Sequence, residues 1–175
     1  TGTEVSKNSS DMILTDDNFA TIVHAIEEGR IIYSNIRKFV GFLLSCNVGE
    51  ILIIFIISLI PNTLIPGIGA PLTAIQLLWL NLVTDSCPAL ALGREKGEPD
   101  IMKYPPRKKS ESIINRKMKM NILVQSLAIF ATVFTSFILG LKVFFADHAN
   151  PLTGARTMAF ATLILAELFR AYSAR

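Results

Sequence analysis

The stretch FVGFLLSCNVGEILIIFIISLI, residues 39–60, decides how the rest of the chain is read. It is apolar over roughly the 20 residues that an α-helix needs to cross a bilayer. Glu50 nonetheless sits inside it. A carboxylate at mid-membrane costs about 3 kcal/mol on insertion scales, so an acid retained there is by default a functional group.

Three further apolar segments follow, at 71–93, 120–145 and 156–173. With 51% hydrophobic residues and a mean hydropathy of +0.47, the 175-residue chain falls in the membrane class and outside the soluble one. The expected fold is an all-α membrane protein with four transmembrane helices. The net charge of +3 says less than its distribution. Residues 61–70, PNTLIPGIGA, carry no charge, and ADHANPLTGA, at 146–155, has neither Lys nor Arg. Residues 94–119 hold nine basic residues: Arg94, Lys96, Lys103, Arg107, Lys108, Lys109, Arg116, Lys117 and Lys119. Arg30, Arg37 and Lys38 precede the first span, and Arg170 and Arg175 close the last. By the positive-inside rule the N-terminus, the 94–119 loop and the C-terminus are cytoplasmic, and the two basic-poor loops are outside. The polar opening TGTEVSKNSSDMILTDD has no signal-peptide pattern and no first Met, and reads as the continuation of something longer.

Residues 1–38 read as soluble. DMILTDD, at 11–17, predicts a short strand and turn, with Asp17 as N-cap of the following helix. There Phe19, Ile22, Val23 and Ile26 recur at helical spacing and predict one apolar face. No proline falls between 18 and 60, which predicts one long helix running from the soluble part into the membrane.

Glu50 has polar company. Asn47 lies three residues earlier on the same face. In the second span, QLLWLNLVTDSCPALAL, Asn81, Thr84 and Asp85 stand at i, i+3 and i+4. The fourth span supplies Glu167. Pro88 cannot donate to the carbonyl of Thr84, and a carbonyl freed in a membrane needs another partner, an ion or a neighbouring side chain. This oxygen-rich donor set suits a hard divalent cation such as Ca²⁺. A zinc or copper site calls for Cys or His, and His24 and His148 are isolated. Cys46 and Cys87 read as small packing residues and not as a disulfide. Plainer readings exist for single residues. A lone Asn or Thr joins helices, Glu167 and Arg170 are spaced for a structural ion pair, and Trp79 serves as packing or as an interface anchor. Two acids on neighbouring spans, each with an amide on its own face, favour ion binding over these.

The motifs NVGE (47–50), QLLWLNLVTDSCPALALG (76–93) and EPDIMKYPPR (98–107) resemble those of the P-type cation-transporting ATPases, in particular the calcium-pump branch of sarco/endoplasmic reticulum type and its bacterial relatives. The opening GTEVSKNSSDMILTDDNFATIVHAIEEGR, residues 2–30, resembles the end of that family's phosphorylation domain. The resemblance implies that residues 1–38 are a small α/β remnant of that domain with a cytoplasmic stalk helix. Residues 39–175 are then a transmembrane domain matching helices five to eight of the pump. It implies metal ligands at Asn47, Glu50, Asn81, Thr84, Asp85 and Glu167, and no catalytic or cofactor-binding residue in this chain. Ca²⁺ is then the transported ion, with protons returning, and Mg²⁺ and ATP belong to the intact pump. The partners implied are the lipid bilayer and the remainder of the pump, with no nucleic acid, in a bacterial plasma membrane. No DKTGT motif occurs in the chain, so alone it is expected to be inactive. Arg170, one turn beyond Glu167, is a departure that bears on how many ions bind. The alternatives are a related pump for Mn²⁺ or Na⁺, a passive channel or ion-coupled carrier, and a purely structural helical module.

Overall fold

The computed structural model describes residues 2–16, 18–107 and 112–174. Those residues are all helix, turn and loop. Helix α1 is a single short turn-and-a-half at Glu4–Asn8. Helix α2, Phe19–Leu59, runs unbroken for 41 residues. The second span is composite: α3 at Ala74–Trp79, a π turn at Leu80–Thr84 and α4 at Ser86–Gly93. Helix α5, Arg116–Leu139, continues into a second π turn at Gly140–Phe144, and α6 spans Pro151–Ser173. Four of these stretches are long and apolar enough to cross a membrane.

The local causes are legible. Asn18 caps α2, its Oδ1 accepting the Ala20 N–H at 3.0 Å. Asp16 stabilises the same entry, accepting from Thr21 Oγ1 and the Asn18 N–H, and these bonds hold its carboxyl below the ordinary carboxylate range. Asp17 itself lies outside the described residues. Helix α2 stops at Ile60, extended at φ −78°, ψ 115°, as expected of a residue that precedes a proline. Thr73 and Gln76 form a capping box on α3. Asn115 Oδ1 caps α5 through the Met118 N–H at 2.9 Å, so that helix starts before the apolar run does. Pro151 opens α6 at a position where its missing N–H costs nothing.

The strand read over DMILTDD does not form, and no strand occurs among the described residues. The described residues offer that segment no neighbouring strand, and a lone extended segment leaves its backbone groups unpaired. The α/β remnant is therefore corrected: the described residues form helices, turns and loops alone. The apolar face of the first half of α2 does not become core either: Phe19 is 76% exposed and Val23 49%.

From Phe42 onward α2 is the hub of the bundle. Phe42, Cys46, Gly49, Glu50, Ile53 and Ile57 are buried at helical spacing. Packing relies on small residues that let backbones approach, as between helices in lipid. A Cβ on Gly49 would lie 3.1 Å from Ile129 Cγ2 of α5, and one on Gly140 would lie 2.9 Å from Ala155 Cα of α6. Hydroxyls add cross-links. Ser126 Oγ donates to the Ser45 carbonyl at 2.9 Å, and Ser136 and Thr162 share a 2.8 Å bond. Such bonds contribute about 0.6 kcal/mol each. Ile53, Leu80, Val133, Phe137 and Leu163 fill the space between the spans.

The ends are fastened differently. At one end the two basic-poor connectors meet, with Arg156 Nε donating to the Ala70 carbonyl at 2.7 Å and Lys142 Nζ to that of Pro66 at 3.4 Å. At the other, the loop after α4 is tied to α2. Asn35 Nδ2 donates to the Glu95 carbonyl at 2.7 Å, and Arg30 Nη1 to those of Ile101 and Tyr104 at 3.0 and 2.7 Å. Lys38 pairs with Glu95 at 3.3 Å, and the Arg107 guanidinium lies 4.4 Å from the centre of the Tyr33 ring. Lys108 and Lys109 of that loop lie outside the described residues.

Candidate metal centre

Three carboxyl groups from three different spans are buried inside the bundle: Glu50 on α2 (4% exposed), Asp85 just after the first π turn (1%) and Glu167 on α6 (0%). The π turn sets the position of Asp85. Its N–H reaches back five residues to the Leu80 carbonyl at 2.9 Å, so one extra residue is accommodated before α4 begins. Pro88 then falls in the first turn of α4, where a proline is tolerated. Ser86 Oγ donates to the Asn81 carbonyl at 3.1 Å.

The six residues read as ligands fall into two groups. Glu50, Thr84, Asp85 and Glu167 are buried. Asn81 is exposed, yet its Nδ2 donates to Glu50 Oε2 at 3.0 Å and joins α3–α4 to α2 directly. Asn47 is half-buried and donates Nδ2 to the Leu43 carbonyl one turn back, at 2.9 Å, so its amide N–H is held by its own helix. Glu50 Oε1 and both oxygens of Asp85 and of Glu167 are buried without a hydrogen-bond partner. Polar atoms in that condition are rare in folded proteins, and anionic ones rarer. Three carboxylates so placed demand compensation by a cation or by protons.

The Glu167–Arg170 ion pair read from their spacing is not made: Arg170 Nη1 donates instead to Ser173 Oγ at 3.4 Å, and the Glu167 oxygens stay unpartnered. Trp79 is 55% exposed on the outside of the bundle. The residue that the sequence reading passed over is Cys46. It is buried, as packing predicts, but its sulfur is within 4.8 Å of carboxylate oxygens of both Asp85 and Glu167. Its spacing, four residues before Glu50, puts it on the same stripe but does not show what the sulfur faces. Cys87, read as packing as well, is exposed, and both thiols are free.

Residues 69–175 match the family described as Cation transporting ATPase, C-terminus. A calcium-transporting ATPase of Bacillus subtilis (strain 168) is 45% identical over 177 residues, taking in 100% of this chain and 18% of that protein. An endoplasmic reticulum-type calcium-transporting ATPase 3 of Arabidopsis thaliana is 40% identical over 168 residues, 95% of this chain and 16% of that protein. A P-type sodium-transporting ATPase4 of Plasmodium falciparum (isolate 3D7) is 50% identical over 116 residues, 66% of this chain and 9% of that protein. The chain thus spans less than a fifth of the length of these relatives.

Proposed function

This chain belongs to the family of cation-transporting ATPase C-terminal regions, and from that premise we propose that it is the ion-binding part of an ATP-driven Ca²⁺ pump. Its four candidate spans correspond to helices five to eight of such a pump, and residues 1–38 to the end of the phosphorylation domain and its stalk. Glu50, Asp85 and Glu167 supply the charged ligands. Asn47, Asn81 and Thr84 supply neutral oxygens. Phosphorylation elsewhere in the whole protein tilts the stalk half of α2 and changes access to the ions, and protons return on the emptied carboxylates. ATP and Mg²⁺ act in the other domains. The N-terminus and the 94–119 loop face the cytoplasm, by the asymmetry of basic charge.

One observation carries this reading: carboxyl groups from three separate spans share the bundle interior, and five of their oxygens have no partner. A structural module has no use for such an arrangement, and a carbonyl-lined passive pore does not require it. The test is phosphoenzyme formation from ATP in the whole protein, followed against free Ca²⁺. Asp85→Asn should abolish the Ca²⁺ response or shift it to at least roughly tenfold higher Ca²⁺, the effect of about 1.4 kcal/mol of lost binding. An unchanged response refutes the assignment.

A second reading is a pump for Na⁺, favoured by the likeness to the sodium-transporting relative. Phosphorylation driven by Na⁺ and indifferent to Ca²⁺ would select it. Mn²⁺ is separated from Ca²⁺ by the same assay.

A further inference from the structure

Calcium is a hard ion and does not seek sulfur. The donor set deepest in the bundle nevertheless includes one. The Cys46 sulfur and one oxygen each from Asp85 and Glu167 all lie within 4.8 Å of one another. The three residues are 0%, 1% and 0% exposed, the Glu167 oxygens have no hydrogen-bond partner, and the Cys46 thiol is the side chain placed to serve Asp85 as a weak donor.

We propose that Cys46, Asp85 and Glu167 form a centre for a thiophilic divalent cation, of the class of Cd²⁺ and Zn²⁺. A tetrahedral ion with metal–ligand bonds of about 2.0–2.3 Å holds its donor atoms roughly 3.5 Å apart. From separations of up to 4.8 Å, that spacing requires the donors to close by about an ångström. One sulfur with two carboxylate oxygens is a donor set suited to a borderline or soft divalent ion, and three protein ligands leave a fourth position for water. As the metal–sulfur bond forms, the thiol proton leaves to water and the ion sheds its hydration. The centre is distinct in composition from the oxygen set formed with Glu50 and Asn81, though both use Asp85 and Glu167. It rests on the proposed transport function only through those shared acids.

The probe is Cd²⁺ alone, without ATP, added to the whole protein purified in detergent and followed by the ultraviolet sulfur-to-cadmium absorption band and by equilibrium binding, with Ca²⁺ binding measured in parallel. Cys46→Ser should remove the band of the Cd²⁺-loaded site and weaken Cd²⁺ binding by roughly 10–100-fold or more, since even residues behind a metal's ligands contribute that much. Its Ca²⁺ affinity should fall far less than its Cd²⁺ affinity, because calcium does not rely on sulfur. Glu167→Gln keeps the sulfur and should weaken binding of both ions, a second measurement should Cys46→Ser not fold. Cys87→Ser should change nothing. A Cd²⁺ band that survives Cys46→Ser, or Cd²⁺ binding indifferent to Glu167→Gln, overturns the proposal. Loss of Ca²⁺ binding and Cd²⁺ binding in equal measure in Cys46→Ser does so too, because the thiol would then only support the fold. If the protein takes up Cd²⁺ but never Ca²⁺, the calcium-pump reading fails and this centre stands.

Discussion

The two halves of α2 share a helical recurrence of apolar residues, on a charged background in the first and an apolar one in the second, and meet opposite fates. In the first half Phe19, Val23 and Ile26 recur at helical spacing and remain exposed. In the second, Phe42, Cys46, Ile53 and Ile57 recur at similar spacing and are buried almost completely. The periodicity says only that a face is apolar. Whether it becomes core depends on what the same chain can bring to it. Helices α4, α5 and α6 gather around the second half, while the loop after α4 reaches the first at its later turns, through Arg30, Tyr33 and Asn35, and leaves Phe19, Val23 and Ile26 exposed. Between the halves, Asn35, 4% exposed, ties the helix to the loop after α4.

The contrast can be broken most sharply at two phenylalanines. Phe42→Ala should lower stability by about 3 kcal/mol, the low end for truncating a core Phe, because lipid and not water is the alternative environment. Phe19→Ala should stay within about 0.5 kcal/mol. Thermal melting in detergent reads both, and equal losses would mean that the exposed half is packed after all. A smaller effect separates two glycines. Gly49→Val drives its side chain into Ile129, 3.1 Å from where its Cβ would sit, and should cost about 1–3 kcal/mol. Gly29, with nothing within 4 Å, should accept Ala with a gain of about 0.5–1 kcal/mol. The smallest loss expected is at the junction. Asn35→Ala leaves the Glu95 carbonyl without its 2.7 Å donor, and about 1 kcal/mol should be lost. Faster hydrogen exchange confined to residues 93–104 would locate that loss, and uniform exchange would place it elsewhere.

The parts legible in the sequence are those set by bulk hydrophobicity and charge. Four apolar runs become four helices long enough to cross a membrane, and the three acids inside them are buried in the bundle, with carboxylate oxygens of Asp85 and Glu167 within 4.8 Å of one another. Helix ends were less legible, since they depend on caps: Asn115 and Pro151 start α5 and α6 ahead of the apolar runs. Two features were not legible. The predicted strand fails for want of a partner, a condition that no local pattern reveals. The proximity of Cys46 to Asp85 and Glu167 depends on how α2, α4 and α6 pack together, and a thiol in an apolar run looks the same whether it faces a methyl group or a carboxylate.

The π turn at Leu80–Thr84 has a mechanical corollary. A helix that stores one surplus residue is geared: were that residue taken up into a regular spiral, everything beyond it would rotate by about 100° relative to α3. Asp85 is the first residue past the gear. A small change in winding there would swing it out of the company of Glu50 and Glu167 while α3 stood still.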